Sequence, residues 1–141
     1  MILVDINVWV PALWRHHPKH REATTWLDSQ SDEELLFCRV TELGLLRMLV
    51  NPAVVGSDAM TRRQAWDVLL KLQHDPRVRF LQEPQGLAPL WMAFSKRDDR
   101  SHKLWTDDYL AAFAQAAHAG LVTFDRSMHA RYPSVDIQTL A

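Results

Sequence analysis

The sequence predicts an α/β fold with three layers, in which a mostly parallel sheet of about five strands is flanked by helices. Short apolar runs alternate along the chain with longer segments whose apolar residues recur at helical spacing. Such alternation is typical of parallel strands joined by helices that cover both faces of the sheet. With 141 residues and 48% hydrophobic content, the chain is expected to form one domain, residues 1–141, around one core.

The strands are predicted from short runs of apolar residues that end at polar residues or turns. They are residues 2–4, 35–38, 78–82, 121–124 and 135–140. The last run lies at the end of the chain and is expected to be an edge strand.

The helices are predicted from apolar residues at helical spacing, with capping residues at their ends. They cover about residues 7–14, 19–29, 42–50, 58–74, 87–97 and 107–119. Asn7, Thr41 and Thr106 are expected to cap three of these helices, and Gly120 is expected to end the last one.

Charge and composition exclude several classes of protein. The net charge of −1 and the pI near 6.6 do not indicate nucleic-acid binding, although they do not exclude it. A single cysteine, Cys38, cannot form an internal disulfide, and its apolar neighbours indicate a buried thiol and not a nucleophile. No segment is long and apolar enough to span a bilayer or to act as a signal sequence, so a cytoplasmic location is expected.

Four acidic residues are predicted to meet at one edge of the sheet. Asp5 and Asp125 each follow a predicted strand, and Glu42 begins the helix that follows the second strand. Asp107 begins the helix before the fourth strand, and this helix runs antiparallel to that strand, so its amino end lies at the same edge. In open α/β sheets this carboxyl edge is where ligands bind.

Each acid by itself also has a purely structural explanation. Acids in a first helical turn interact favourably with the helix dipole, and aspartates after strands often bond to nearby backbone amides. Asp107, however, shares the apolar stripe of its helix, where an unpaired carboxylate is costly, whereas Asp108 lies on a more mixed face. Glu83 lies in a predicted loop and shares no apolar stripe, so we exclude it from the site.

Four ionised carboxylates at one edge would repel one another unless cations lie between them. Magnesium or manganese suits such a site, because these ions combine one or two carboxylates with water and phosphate oxygens. Two such ions can activate water and stabilise the leaving oxygen of a phosphodiester. His16, His17 and His20 lack a fourth partner for zinc and indicate a solvated face. The chain has four glycines and no glycine-rich phosphate-binding motif.

Four segments in order resemble the PIN-domain ribonucleases, and among them the VapC-type toxins of bacterial toxin–antitoxin pairs. The resemblance covers almost the whole chain and rests on "MILVDINVWV", "HHPKHREATTWL", "RVTELGLLRMLVNPAV" and "HKLWTDDYLAAFAQAAHAGLVTFDRSM". They are similar to the family's D-x-N-V, H-x-x-A-x-x-W-L, T-E-x-G-x-x-R-x-x-x-N-P and D-x-x-L-A-A-x-A … T-x-D-R patterns. Two departures are Asp108, where a small residue is usual, and Met128, where an aromatic residue is common.

The resemblance implies a Mg²⁺- or Mn²⁺-dependent endoribonuclease whose four acids are Asp5, Glu42, Asp107 and Asp125. It implies that Asp5 and Asp107 bind the metal directly and that Glu42 and Asp125 complete the site and orient the attacking water. Asn7 and Thr123 are expected to hold these acids by hydrogen bonds. The implied partners are an RNA substrate, a cognate antitoxin and a second copy of the chain in a homodimer.

Basic residues near two helices are candidates for contacts with the RNA backbone. They are Arg15, Lys19, Arg21, Lys96, Arg97, Arg100 and Lys103. An alternative to the enzyme is a PIN-fold binding module that holds an antitoxin or RNA with little turnover. A metal-dependent phosphatase or DNA nuclease is a third possibility, but no D-x-D pair follows the first strand, which argues against a haloacid-dehalogenase-like phosphatase.

Overall fold

The computed structural model describes residues 1–141 as five strands and eight α-helices. The strands are β1 (Ile2–Val4), β2 (Leu35–Phe37), β3 (Val78–Phe80), β4 (Gly120–Thr123) and β5 (Ile137–Thr139). The helices are α1 (Ile6–Leu13), α2 (His20–Ser29), α3 (Arg39–Leu49), α4 (Pro52–Val55), α5 (Arg62–Leu72), α6 (Leu87–Ser95), α7 (Leu104–Ala116) and α8 (Met128–Arg131). A 3-10 turn, Gly56–Asp58, follows α4.

The five strands form one sheet in the order β3-β2-β1-β4-β5, and every neighbouring pair is parallel. The predicted α/β fold is therefore confirmed, and β5 is an edge strand as expected. The chain adds β2 and β3 on one side of β1, and then β4 and β5 on the other. The strand order thus reverses between β1 and β4, the position at which ligands bind in such sheets.

Alternate residues of the strands point into two separate hydrophobic layers. Leu3 and Leu121 pack on the side of α6, α7 and α8. Val4 and Val122 pack on the opposite side, against α1, α2, α3 and α5. On that side Trp9 stacks on Phe37 with ring centroids 4.7 Å apart. Burial of both faces explains why the sequences of β1, β2 and β4 are nearly continuous apolar runs.

The prediction that Asn7 caps the first helix is wrong. The N-cap of α1 is Asp5, and Asn7 is the second residue of the helix. Its side chain reaches β4 instead, where it bonds to Thr123 and to the backbone of Phe124. A cap assignment from sequence considers only local amides, whereas this amide side chain is satisfied by a neighbouring strand.

Two further helices begin earlier than their predicted caps. Thr41 is the third residue of α3, whose N-cap is Cys38, and Thr41 Oγ1 accepts a hydrogen bond from the Cys38 amide at 3.0 Å. Thr106 is the third residue of α7, which begins at Leu104. The added first turn of α7 is bonded to α6, because Trp91 Nε1 donates to the Trp105 carbonyl at 3.3 Å. Tertiary packing therefore extends α7 beyond its local start signal.

No helix of the structure combines the length and the apolar character that crossing a bilayer requires.

Candidate active site

Asp5 and Asp125 lie where the strand order reverses. Asp5 directly follows β1, and Asp125 lies two residues beyond Thr123, the last residue of β4. Because β1 and β4 are adjacent and parallel, their carboxyl ends present both aspartates at one edge. Asp107 reaches the same edge from the first turn of α7.

A hydrogen-bond network fixes Asp5 against β4. Thr123 Oγ1 donates to Asp5 Oδ2 at 2.8 Å, and Asn7 Nδ2 donates to Thr123 Oγ1 at 3.0 Å. The backbone amide of Phe124 donates to Asn7 Oδ1 at 3.0 Å, and that of Asp125 donates to Thr123 Oγ1, also at 3.0 Å. The structure therefore places Thr123 in contact with Asp5 and Asn7 in contact with Thr123.

Asp5 is almost completely buried, and this burial raises the pKa of its carboxyl group, although the bond from Thr123 opposes the shift. The nearby charge of Asp125 raises the pKa further. An acid in this environment favours a cation beside it when it is ionised.

Arg131, which the sequence reasoning did not select, joins two of the acids. Its Nη2 donates to Asp107 Oδ2 at 2.8 Å and to Asp125 Oδ2 at 3.2 Å. Its Nη1 donates to Ser127 Oγ at 2.6 Å, one helical turn earlier in the chain. Ser127, and to a smaller degree Arg131, lower the pKa of the Asp125 carboxyl group. The close spacing of Asp125, Ser127 and Arg131 could have indicated the contact with Asp125, whereas no local pattern indicates the contact with Asp107.

Asp107 carries negative charge that its surroundings do not fully compensate. Partial burial raises the pKa of its carboxyl group to about 6, and the charge of Asp5 is the next largest cause. Asp125 and Asp108 raise the pKa further, whereas Arg131 opposes the shift. A divalent cation next to Asp5 and Asp107 would relieve this repulsion more strongly than Arg131 does.

Asp5 and Asp107 line the same cleft, which has a volume of about 540 Å³. Asn7 lines its wall from α1, and Thr41 and Gly44 line it from α3. The cleft is thus bounded by three helices at the carboxyl edge of the sheet, with carboxylates in its wall. We call this space the acidic cleft.

Glu42 does not line the acidic cleft. It is buried in the first turn of α3, where Arg39 Nη1 donates to its Oε1 at 2.7 Å and Gln73 Nε2 donates to its Oε2 at 2.9 Å. No group of three or more His, Cys, Asp or Glu side chains is spaced closely enough to hold a metal ion. The structure therefore brings Asp107 and Asp125 together near Asp5, whereas Glu42 lies outside the lining of the acidic cleft and is bonded to Arg39 and Gln73.

Asp108 differs from its predicted environment. The sequence placed it on a mixed helix face, but Asp108 is 7% exposed and accepts a hydrogen bond from the buried hydroxyl of Tyr132. The prediction failed because α7 is covered on more than one side, by the sheet and by α6, so that its polar face is also buried. Asp107, predicted on the apolar stripe, is the more exposed of the two, and its side chain is 27% exposed.

The donors present suit a small hard cation. Magnesium requires only one or two protein carboxylates and retains several water molecules, so Asp5 and Asp107 with Asp125 nearby supply suitable oxygen ligands. The uncompensated charge of Asp107 also favours a cation at this place. We therefore find that these residues fit a divalent metal without a complete cage of protein ligands.

Comparison with known proteins finds relatives along almost the whole chain. The family model described as "PIN domain" matches residues 2–133. The chain is 36% identical to Ribonuclease VapC41 of Mycobacterium tuberculosis over 146 aligned residues, which cover 100% of the chain and 99% of that protein. It is also 30% identical to Ribonuclease VapC44 of the same organism, with 89% of the chain and 87% of that protein covered.

Solved structures share the fold at lower sequence identity. The VapBC2 structure from Rickettsia felis, bound to a DNA fragment from its promoter, has a TM-score of 0.72 and 15% identity, with 100% of each chain covered. VapC20 of Mycobacterium tuberculosis, described as a sarcin-ricin loop cleaving toxin, has a TM-score of 0.70 and 14% identity, with 92% of this chain and 94% of that chain covered. The match to the family model and the full-length relatives show that the chain belongs to the PIN-domain family, in its VapC group.

Proposed function

We propose that the chain is the toxin of a type II toxin–antitoxin pair and acts in the cytoplasm as a Mg²⁺- or Mn²⁺-dependent endoribonuclease. One observation carries the proposal, namely the pair of carboxylates, Asp5 and Asp107, in one cleft at the point where the strand order reverses. The full-length similarity to proteins named ribonucleases supports the same reaction.

In this proposal Asp5 and Asp107 hold the metal. When bound there, a divalent metal would lower the pKa of the attacking water and would stabilise negative charge on the leaving oxygen. The water oxygen bonds to phosphorus as the bond from phosphorus to the leaving oxygen breaks, and the water's proton is lost to a neighbouring base. RNA is thereby divided into one fragment that ends in phosphate and one that ends in a hydroxyl group.

Other residues of the site position the acids and the attacking water. Thr123 and Asn7 hold the Asp5 carboxylate in one orientation through the bonds described above. Asp125 and Glu42 complete the site and orient the attacking water. To bond to that water, Glu42 must give up its hydrogen bond with Arg39 or with Gln73. Arg131 holds Asp107 and Asp125 at a fixed separation while no metal is bound.

We further propose that the chain binds a cognate antitoxin that covers the acidic cleft, and that it forms a homodimer. One structural neighbour is described as a toxin–antitoxin complex and others as VapBC structures, which supports a partner of this kind. Co-expression with the product of a neighbouring small reading frame, followed by size-exclusion chromatography, tests both assemblies.

Substitution of the two metal-binding aspartates tests the enzyme. Asp5→Asn and Asp107→Asn should each reduce Mg²⁺-dependent RNA cleavage by about 100-fold or more, because losing a ligand removes most of the metal's contribution. Both variants should also abolish growth arrest on expression. Asp32→Asn, an exposed acid away from the cleft, is the matched control and should cleave normally.

Cleavage by Asp5→Asn or Asp107→Asn at the rate of the unmodified protein would refute the assignment. Binding of several RNAs without cleavage at any Mg²⁺ or Mn²⁺ concentration would instead favour the PIN-fold binding module.

A further inference from the structure

A second cavity lies beside the acidic cleft. It has a volume of about 610 Å³ and lies between the connection from α6 to α7 and the end of α8. Asp108, Arg131 and Tyr132 form its inner wall, and the segment 95–105 forms the outer one. Its volume is within the range of about 300–1,000 Å³ that is typical of sites for small ligands.

The outer wall carries net positive charge, because three basic side chains and one acid, Asp99, line it. Lys96, Arg97 and Arg100 line the cavity, are exposed and form no salt bridge. Arg97 uses only its Nε, which donates to the Phe94 carbonyl at 2.9 Å, so its terminal nitrogens remain free. The opposing acid in this wall, Asp99, accepts a hydrogen bond from the Ser101 amide. The wall therefore attracts an anion with more than one charged group.

The same wall contains an exposed aromatic surface. Trp105 lines the cavity and is 55% exposed, although it belongs to the first turn of a helix that is otherwise well packed. Its backbone carbonyl accepts a hydrogen bond from Trp91 Nε1 at 3.3 Å, which helps to hold this turn in place. Basic side chains next to an exposed indole are the combination that binds single-stranded nucleic acid, because phosphates pair with the cations and bases stack on the ring.

Arg131 connects this cavity to the acids. It lines the cavity and bonds to both Asp107 and Asp125, so the cavity and the acidic cleft lie on two sides of the same carboxylate. A strand whose phosphodiester reaches Asp107 can therefore continue into the cavity without leaving the protein surface.

We propose that this cavity is a subsite for a nucleotide of single-stranded RNA that flanks the cleaved bond. Arg97, Arg100 and Lys96 contact the phosphates, and Trp105 stacks on the base. The subsite rests on the proposed ribonuclease function and extends it, because it requires the substrate to be unpaired beside the cleaved bond. Stacking on a ring does not depend on the identity of the base, so the subsite selects for unpaired structure more than for sequence.

Binding measured without cleavage tests the phosphate contacts. Fluorescence anisotropy of a labelled, mixed-sequence single-stranded RNA, in the presence of a chelator, gives Kd over a range of salt concentrations. Arg97→Gln combined with Arg100→Gln should raise Kd about tenfold and should reduce the slope of log K against log salt by about 0.7 for each phosphate that the protein no longer binds. Arg62→Gln combined with Arg63→Gln, two exposed arginines on α5 without salt bridges, is the matched control and should change neither quantity.

A second pair of variants tests the stacking contact. Trp105→Ala should raise Kd about tenfold, whereas Trp105→Phe should keep most of the affinity, since a phenyl ring still stacks. Trp66→Ala on α5 is the control, because Trp66 is 50% exposed and lies outside the cavity. A merely structural role for Trp105 would not distinguish Ala from Phe in this way at unchanged melting temperature.

The outcomes separate the subsite from the proposed function. If the unmodified protein cleaves RNA but the cavity variants bind RNA as tightly as the controls, the subsite is refuted and the enzyme stands. If the cavity variants lose affinity as expected but no RNA is cleaved with Mg²⁺ or Mn²⁺, the subsite stands and the enzyme does not. If the variants keep their affinity for RNA and lose affinity for a polyglutamate peptide, the cavity binds acidic protein segments and the proposal is refuted.

Discussion

At the scale of single residues, the feature with the greatest consequence is the imbalance of charge around Asp107. One guanidinium, that of Arg131, is shared between Asp107 and Asp125, while Asp5 and Asp108 add two further carboxylates nearby. Burial is the largest cause of the raised pKa of the Asp107 carboxyl group, the charge of Asp5 adds to it, and the single guanidinium of Arg131 does not offset both. This residual repulsion is what a divalent ion would remove.

The raised pKa of Asp107 predicts how the stability of the metal-free protein depends on pH. The folded protein holds this proton up to about pH 6, whereas the ordinary value for the unfolded chain is 3.8. Between these values the folded state binds more protons, so its stability falls as pH rises from about 4 to about 6. The loss attributable to Asp107 should be roughly 2 kcal/mol, allowing for its partial exposure.

Urea unfolding in chelator across this pH range, with the unmodified protein and with Asp107→Asn, measures that contribution. Asparagine cannot titrate, so the difference between the two free energies of unfolding should change across the window. If the free energies of unfolding of the two proteins change in parallel with pH, Asp107 does not carry the shifted pKa.

The hydrogen bond from Tyr132 to Asp108 leads to a second prediction for single residues, which concerns the free energy of unfolding. Both residues are buried, and the Tyr132 hydroxyl is the sole hydrogen-bond partner of the Asp108 carboxylate. Tyr132→Phe should lower the free energy of unfolding by about 1–3 kcal/mol, because it leaves a buried carboxylate unpaired. Adding Asp108→Leu to that variant should restore much of the lost free energy of unfolding, as measured by chemical denaturation. If the two substitutions instead lower this free energy additively, the coupling between the residues is refuted.

At the scale of elements, helices place side chains that the strands alone could not bring together. α7 carries Asp107 into the acidic cleft and Asp108 towards α8, and the first turn of α3 holds Glu42, which is buried and does not line that cleft. α5 contributes indirectly, since Gln73 at its carboxyl end holds one oxygen of Glu42. The contact with Gln73 therefore helps to hold Glu42 in its buried position, together with Arg39.

The start of α5 provides a prediction about that helix. Thr61 Oγ1 accepts a hydrogen bond from the backbone N–H of Gln64 at 3.1 Å, and Gln64 Oε1 accepts one from the backbone N–H of Thr61 at 2.9 Å. The two bonds together form a capping box. Thr61→Ala should lower the free energy of unfolding by about 1 kcal/mol. Thr61→Ser keeps the hydroxyl and should be close to the unmodified protein in thermal unfolding, while equal losses in both variants would exclude the cap as the cause.

At the scale of the whole molecule, binding of metal should stabilise the fold. A ligand that binds only the folded state at 100 times its Kd adds about 2.7 kcal/mol to the free energy of unfolding. Mn²⁺ should therefore raise the melting temperature of the unmodified protein, and Asp107→Asn should largely remove the rise because it removes one of the two proposed ligands. Calorimetric titration with Mn²⁺ provides a second measurement, and equal binding by the variant would contradict the assigned ligands.

The sequence by itself determined the layers, the parallel strands and the end of the sheet at which acids accumulate. These features follow from local patterns. Continuous apolar runs identify buried strands, and apolar residues at helical spacing identify the helices that pack on them. An acid that follows a strand must lie at the carboxyl end of that strand. The ordered segments around Asp5, Glu42, Asp107 and Asp125 then indicated the family. All of this depends on residues that are close together in the chain.

Only the tertiary structure decided which partners these acids have. Arg131 reaches Asp107 across 24 residues, and Gln73 reaches Glu42 across 31, so neither contact leaves a local pattern in the sequence. Asp108 is buried because α7 is covered on more than one side, which helical periodicity cannot indicate. Hydrogen bonds of buried charges depend on directions and distances between separate elements, and these are fixed only when the helices pack on the sheet.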